Sequence, residues 1–297
     1  IYGTTGSFDL GVLSHAKISN TAVLLILFGI LSKSATLPFH TWLPDAGVAP
    51  SPVTALLHAA VLVKIGVYVF ARLFVATFEV DPIWHTIVPV IAGVSALVSA
   101  GAAMIDNDIK RIIAYSTISQ IGFIFLGLSI GNEVGVAGGL LYILMHGLSK
   151  AGLFLCAGVI EHSTHTKDIR KMGGLIHKMP ITAVSFILCA FSVMGIPPLG
   201  GFFSKYLVIN GAVNSGQLWI TFTFLIGAVF TIIYLFRLFV AIFMGTPNFE
   251  HADKEGTPVM LYSIAILAVL SLLGGIFINY PADIVNSAVQ QMMGVIR

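Results

Sequence analysis

Uncharged stretches of about twenty residues recur along the chain, separated by short polar breaks. A bilayer core of ~30 Å is crossed by ~20 apolar residues in helical form. On that rule about eight transmembrane helices are predicted, near residues 20–40, 51–75, 84–105, 110–131, 135–160, 180–210, 217–244 and 257–279. Ten-residue segments of alternating polarity, the mark of a membrane barrel, do not occur, so the fold class is all-α and polytopic. Two spans carry breaks: Pro38 interrupts the first, and "GIPPLGG" (195–201), with Pro197 and Pro198, interrupts the sixth. Proline removes an amide donor and glycine loosens the backbone, so both are read as discontinuous helices. Such breaks survive in lipid only where protein buries them or where they line a wet cavity. The whole chain, 1–297, reads as one membrane domain. It has an external segment at 1–19, a bundle at 20–279 and an external tail at 280–297, and an N-terminal helical repeat is expected to be missing.

Composition agrees with this picture. The chain is 57% hydrophobic and 9% charged, with a mean hydropathy of +0.97, whereas soluble domains carry about 25% charged residues. A net charge of +2 is too small and dispersed to suggest nucleic acid or an acidic substrate. Cys156 and Cys189 sit in apolar runs without metal or redox spacing and read as buried thiols. No basic region with a cleavage site precedes the first span, so no signal peptide is expected.

Loop charge orients the bundle. Lys110, Arg111, Lys167, Arg170, Lys171, Lys178 and Lys254 fall on one side of the alternation, with Arg72 and Arg297 on the other. The charged loops are therefore expected in the cytoplasm, and the protein in a prokaryotic plasma membrane.

Candidate chemistry then appears inside the spans. Lys33, Lys64, Lys150 and Lys205 each lie deep in a span, where a charge costs roughly 2.5–3.5 kcal/mol on insertion scales. Snorkelling to an interface is the competing reading and suits Lys205 best. In "YILMHGLSKAGLF", Tyr142, His146 and Lys150 follow i, i+4, i+8 spacing, one polar stripe ~12 Å long on a helix. His58 lies six residues before Lys64, on a different face, and is placed to bridge to another helix. Ser32, Ser34, Thr36, Ser149 and Ser204 flank the lysines and offer sites for water. Arg237 reads as an interfacial anchor or packing group. Every Asp and Glu lies in or next to a loop, so the counter-charge for these amines is expected from elsewhere: a missing N-terminal portion or an adjacent subunit.

Four ordered segments carry a resemblance: "KSATLPFHTWLPDAGVAPSPVTALLHAAVLVKIGVYVFARL", "DIKRIIAYSTISQIGFIFLGL", "HGLSKAGLFL" and "GIPPLGGFFSKYL". They resemble the antiporter-type membrane subunits of respiratory complex I, of Mrp sodium/proton antiporters and of membrane-bound hydrogenases. The similarity runs from about residue 22 to residue 245 and corresponds to helices seven to fourteen of a family built on inverted repeats. The resemblance implies roles. Lys33 matches the lysine of broken helix seven, and His58 with Lys64 matches a bridge between half-channels. His146 and Lys150 match the helix-eleven pair, and Lys205 matches the exit lysine of broken helix twelve. The family's essential glutamate lies on helix five, outside this chain. Tyr142 and Tyr206 depart from the pattern, standing where some members have a histidine and an aspartate.

The function implied is proton translocation along buried Lys and His within a redox-driven pump or a cation/proton antiporter. Partners would be other antiporter-like and small membrane subunits, with H⁺ and possibly Na⁺ as the ions moved. A non-conducting structural subunit is the alternative. A self-contained metabolite transporter fits less well, because the polar groups string across helices and do not converge. No catalytic constellation or nucleotide motif occurs, so redox cofactors are expected in partner subunits and none on this chain. Glu161, His162 and His165 (loop 161–168) lack HExxH order and read as loop polarity, not as a metal site.

Overall fold

The computed structural model describes residues 1–13, 16–246 and 255–294. Its main helices are α1 (Asn20–Lys33), α2 (Ser51–Val75), α3 (Trp84–Ile105), α4 (Ile109–Ser129) and α5 (Glu133–Thr164). They are followed by α6 (Pro180–Met194), α7 (Gly200–Asn214), α8 (Leu218–Phe243), α9 (Pro258–Ile276) and α10 (Asn279–Met292). Six of these, α2 to α5, α8 and α9, are long and apolar enough to cross a membrane alone. The two expected discontinuous spans supply the rest, as α1 with its following turn and as the α6–α7 pair.

Helix starts follow local chemistry. Ser19, Asp108 and Asn132 accept backbone N–H groups at the starts of α1, α4 and α5, while proline opens α6 and α9. The two breaks share one geometry. After α1, Ala35 turns left-handed (φ +50°) and the Thr36 N–H reaches Leu31 O at 2.9 Å; after α6, Gly195 does the same (φ +85°) and Ile196 N–H reaches Phe191 O at 2.9 Å. This is the helix-ending motif that satisfies otherwise orphaned carbonyls. The peptides before Pro38 and Pro198 are both cis.

α4 is the axis of the bundle. Of the residues in its most apolar stretch 94% are buried, against 22% for α9, which lies on the perimeter. Close approach to α3 is set by Gly122, where a Cβ would stand 2.7 Å from Ala92 O. Gly138 of α5 similarly admits the α7 backbone, since a Cβ there would meet Val208 N at 2.6 Å. Small residues of this kind let membrane helices approach one another.

The charged loops gather at one end. Arg111 Nη1 meets Asp45 Oδ1 at 2.7 Å and Lys110 Nζ meets Glu161 Oε2 at 2.7 Å. Ile109 N–H donates to Lys167 O, and Ile169 N–H donates to Asn107 O, tying the loop after α5 to the α3–α4 turn. Arg237 donates to Met104 O, Asp106 O and Asn107 Oδ1, so it closes the C-terminal end of α3, where a cation is favoured by the helix dipole. Asn132 and Gln217 stitch the opposite end, donating to Gly211 O and Ile130 O. Lys254 and Arg297 lie outside the described residues.

Both segments read as external engage the bundle. Leu13 and Ile18 are buried, and Ala16–Lys17 pairs in parallel with Phe78–Glu79. Within the expected tail, α10 is amphipathic, and its Val289 is buried in the core and lines a cavity with Ala137.

Lys110 is 3% exposed and its ammonium also reaches Ala49 O at 3.3 Å. Lys110→Ala leaves the Ala49 carbonyl without its cation and Glu161 with only Lys167 at 3.5 Å, and should lower stability by about 2 kcal/mol. The thermal midpoint of the detergent-solubilised protein reads this out. Lys110→Met combined with Glu161→Leu should recover much of the loss, and an unchanged midpoint for Lys110→Ala would refute the clamp.

Candidate functional site

Three of the four lysines turn into the interior, and each solves the same problem in the same way. Lys64 of α2 donates to Ile143 O of α5 at 2.6 Å. Lys150 of α5 donates to Ile113 O of α4 at 3.3 Å and to Ser116 Oγ. Lys205 of α7 donates to Val193 O at 2.7 Å and Met194 O at 3.2 Å. Their exposures are 6%, 0% and 5%, and none forms an ion pair among the described residues. Backbone dipoles stand in for a carboxylate.

The break in span six makes the Lys205 contact available. α6 ends at Met194, so its last carbonyls lack intrahelical donors. Lys205, on the far side of the break, folds back onto them from one turn into α7. Gly195 permits this passage, because a Cβ there would stand 2.8 Å from Lys205 Cδ.

The histidines lie among the amines. His146 is 1% exposed and within electrostatic reach of Lys64, Lys150 and Lys205. His58 lies in a π-helical turn of α2 (Leu56–Ala60), fully buried, its ring 4.5 Å from that of Phe154 and within reach of the Lys150 charge. Insertions of this kind re-aim side chains and often occur at functional positions. His58 and Lys64 both face α5, at Phe154 and at Ile143, which stand ~16 Å apart along that helix. Neither ring nitrogen of either histidine has a protein hydrogen-bond partner. Buried polar atoms left unpaired by protein are normally satisfied by ordered water.

The stripe of Tyr142, His146 and Lys150 forms as the spacing predicts, but its ends connect through α4 and α8, not along α5. Lys150 meets Ser116, whose hydroxyl lies 2.7 Å from that of Tyr234. Gln120 Nε2 donates to Tyr234 OH at 3.2 Å and Thr231 Oγ1 at 3.1 Å, and Tyr142 OH donates to Gln120 Oε1. Lys205 Nζ lies 5.8 Å from the centre of the Tyr142 ring and 5.7 Å from that of Phe123, within cation–π range. Ser116, Gln120, Thr231 and Tyr234 had escaped notice in the sequence. Their signal was polar side chains at i, i+4 in a span (116 and 120) and at i, i+3 in another (231 and 234).

Lys33 is the exception. It ends α1 exposed, on the side of the helix that carries Leu25 and Ser32, and is not gathered with the other three amines. Only its neighbour Ser34 turns inward, donating to Val63 O at 3.2 Å beside Lys64. Tyr206 also turns outward, 54% exposed and stacked on Phe202, so it takes no part in the interior network. Of the remaining flanking hydroxyls, Ser149 joins Ser192 and Ser271, and Ser204 bonds Gly200 O and Gly201 O. Ser32 is exposed, and buried Thr36 has no protein partner for its hydroxyl. Glu161 is occupied by Lys110 and Lys167.

Residues 1–231 match the family model described as NADH:quinone oxidoreductase/Mrp antiporter, TM. NADH-quinone oxidoreductase subunit L of Rickettsia conorii is 38% identical over 282 residues, covering 92% of this chain and 41% of that protein. Na(+)/H(+) antiporter subunit A1 of Staphylococcus saprophyticus is 33% identical, covering 93% of this chain and 37% of that one. A chain of the Mrp complex from Dietzia sp. DQ12-45-1b shares the fold, with a TM-score of 0.92 at 24% identity over 98% of this chain and 64% of that chain. The chain thus spans about two fifths of the length of these curated relatives. By its motifs, its broken helices and its match over most of its length, this multi-pass membrane chain belongs to the NADH:quinone oxidoreductase/Mrp antiporter transmembrane family.

Proposed function

We propose that this chain translocates protons as an antiporter-like subunit of a multisubunit membrane complex, with Lys64, His146, Lys150 and Lys205 as stations and His58 as a bridging group. One observation carries the reading: three interior amines without a carboxylate partner among the described residues surround an imidazole that protein leaves unpaired. In a buried amine without a fixed counter-ion, desolvation opposes charge while carbonyl dipoles favour it. Charging one amine disfavours charge on the next, so occupancy of one station biases its neighbours. Water at the unpaired imidazole nitrogens would join the stations.

The chemistry favours H⁺ over Na⁺ on this chain. An ammonium repels a metal cation and an amine takes a proton, so any Na⁺ coupling belongs to partner subunits. The same holds for nicotinamide, quinone or iron–sulfur chemistry. Lys33, exposed at the end of α1, calls for a carboxylate from another segment or subunit within the membrane, and Ser34, which follows it and donates to Val63 O, would link events there to the Lys64 backbone. On this reading the charged end faces the cytoplasm of a prokaryotic cell.

The test uses the assembled parent complex in vesicles with a trapped pH dye. Lys150→Ala and Lys33→Ala should each lower driven proton flux on the order of a hundredfold while subunits still co-purify. Unchanged flux in an assembled Lys150→Ala complex would overturn the proposal in favour of a non-conducting structural subunit.

Gly195→Ala probes the exit station without touching a charge. Left-handed backbone costs a Cβ-bearing residue about 1–2 kcal/mol, and the added methyl also displaces Lys205 from the α6 carbonyls. Flux should fall toward the level of Lys205→Ala. Wild-type flux in Gly195→Ala would show that this contact is not used.

A further inference from the structure

Lys150 and Lys205 are joined by an almost continuous polar path, and its chemistry changes at one residue. From Lys150 the path runs through Ser116 to Tyr234, two hydroxyls 2.7 Å apart. A hydroxyl relays a proton by accepting on one lone pair while releasing its own hydrogen. From the Lys205 side the first hydroxyl is Tyr142, under the ammonium. Between Tyr234 and Tyr142 stands the Gln120 side-chain amide, fully buried.

An amide does not relay. Its oxygen only accepts, its nitrogen only donates, and neither exchanges roles without passing through an imidic acid. Both N–H groups of Gln120 are committed, to Tyr234 and Thr231, and its oxygen takes the Tyr142 proton. Thr231 in turn directs its hydroxyl to Gly227 O at 2.8 Å. A proton leaving Lys150 therefore shifts to Ser116 as Ser116 passes its own to Tyr234, and Tyr234 passes its own toward Thr231 at 3.4 Å. There the hydroxyl path ends at a carbonyl, and the proton must return. Reversing the amide would require three hydroxyls on α5 and α8 to reorient together.

We propose that Gln120 is a positioning residue that insulates Lys150 from Lys205, a fixed amide that prevents protons from slipping between the two stations through protein hydroxyls. Transfer then runs through water at the unpaired His146 nitrogens and not through this hydroxyl path. This rests on the proton-translocation reading above. A plain structural clamp between α4, α5 and α8 would use the same bonds, so the test must read something that packing does not move.

That readout is passive proton leak in vesicles holding the assembled complex, with no driving reaction. Gln120→Glu keeps the shape but installs a carboxyl that can take a proton on one oxygen and release it from the other. Leak should rise on the order of tenfold, and Lys150→Ala in the same background should return it to the wild-type level. Gln120→His, whose two ring nitrogens also relay, should leak likewise and serves if the glutamate variant does not assemble. Gln120→Met, which relays nothing, should not leak. Wild-type leak in assembled Gln120→Glu and Gln120→His complexes overturns the proposal. Failure of both to assemble assigns the amide to packing and overturns it equally. Driven flux in Lys150→Ala tests the underlying reading separately, so a barrier without pumping and pumping without a barrier give different results.

Discussion

An ammonium in the membrane interior with no carboxylate to meet it must find its charge balance in the backbone. This constraint organises the bundle. Lys64, Lys150 and Lys205 each reach a carbonyl of a neighbouring element. For Lys205 that carbonyl is free because a helix stops there. For Lys64 and Lys150 the acceptors are Ile143 and Ile113, inside α5 and α4, so these ammonium groups share carbonyls with the helices' own ladders. Such bonds hold a charge less firmly than an ion pair would, and the proposed proton transfer requires that looseness.

The architecture supplies what the constraint demands. α4 and α5 lie at the centre, approached closely through Gly122 and Gly138, so side chains from α2, α7 and α8 can reach the same interior. The break between α6 and α7 brings carbonyls to Lys205, and the π-helical turn in α2 carries His58. Hydroxyls and one amide fill the space between amines, and the π-helical turn at Leu56–Ala60 and the α6–α7 break each carry or meet a titratable group. An unbroken span six would have left Lys205 without the free carbonyls that it uses.

The end of the bundle that carries the charged loops serves a different purpose. Lys110 with Glu161, Arg111 with Asp45 and Asp106, and Arg237 on the end of α3 fasten loops and helix ends. Lys110 and Arg111 there meet acids, in contrast to the interior, where amines stand without acids among the described residues.

Much of this was legible along the chain. Apolar run length is a direct consequence of bilayer thickness, so the spans followed from residue order alone, as did both breaks, because proline and glycine act on their own backbone. The i, i+4, i+8 spacing placed Tyr142, His146 and Lys150 on one face for the same local reason. What stayed hidden depends on which helix lies beside which. The identical geometry of the two breaks was masked by Ala35 standing where the second break has Gly195, since only coordinates reveal a left-handed alanine. The outward turn of Lys33 and the inward turn of Lys64 look alike in sequence, because depth in a span is a property of one helix and facing is a property of its neighbours. Gln120 joins Tyr142 to Tyr234 across more than a hundred residues of chain, a contact that no local pattern encodes and that packing alone decided.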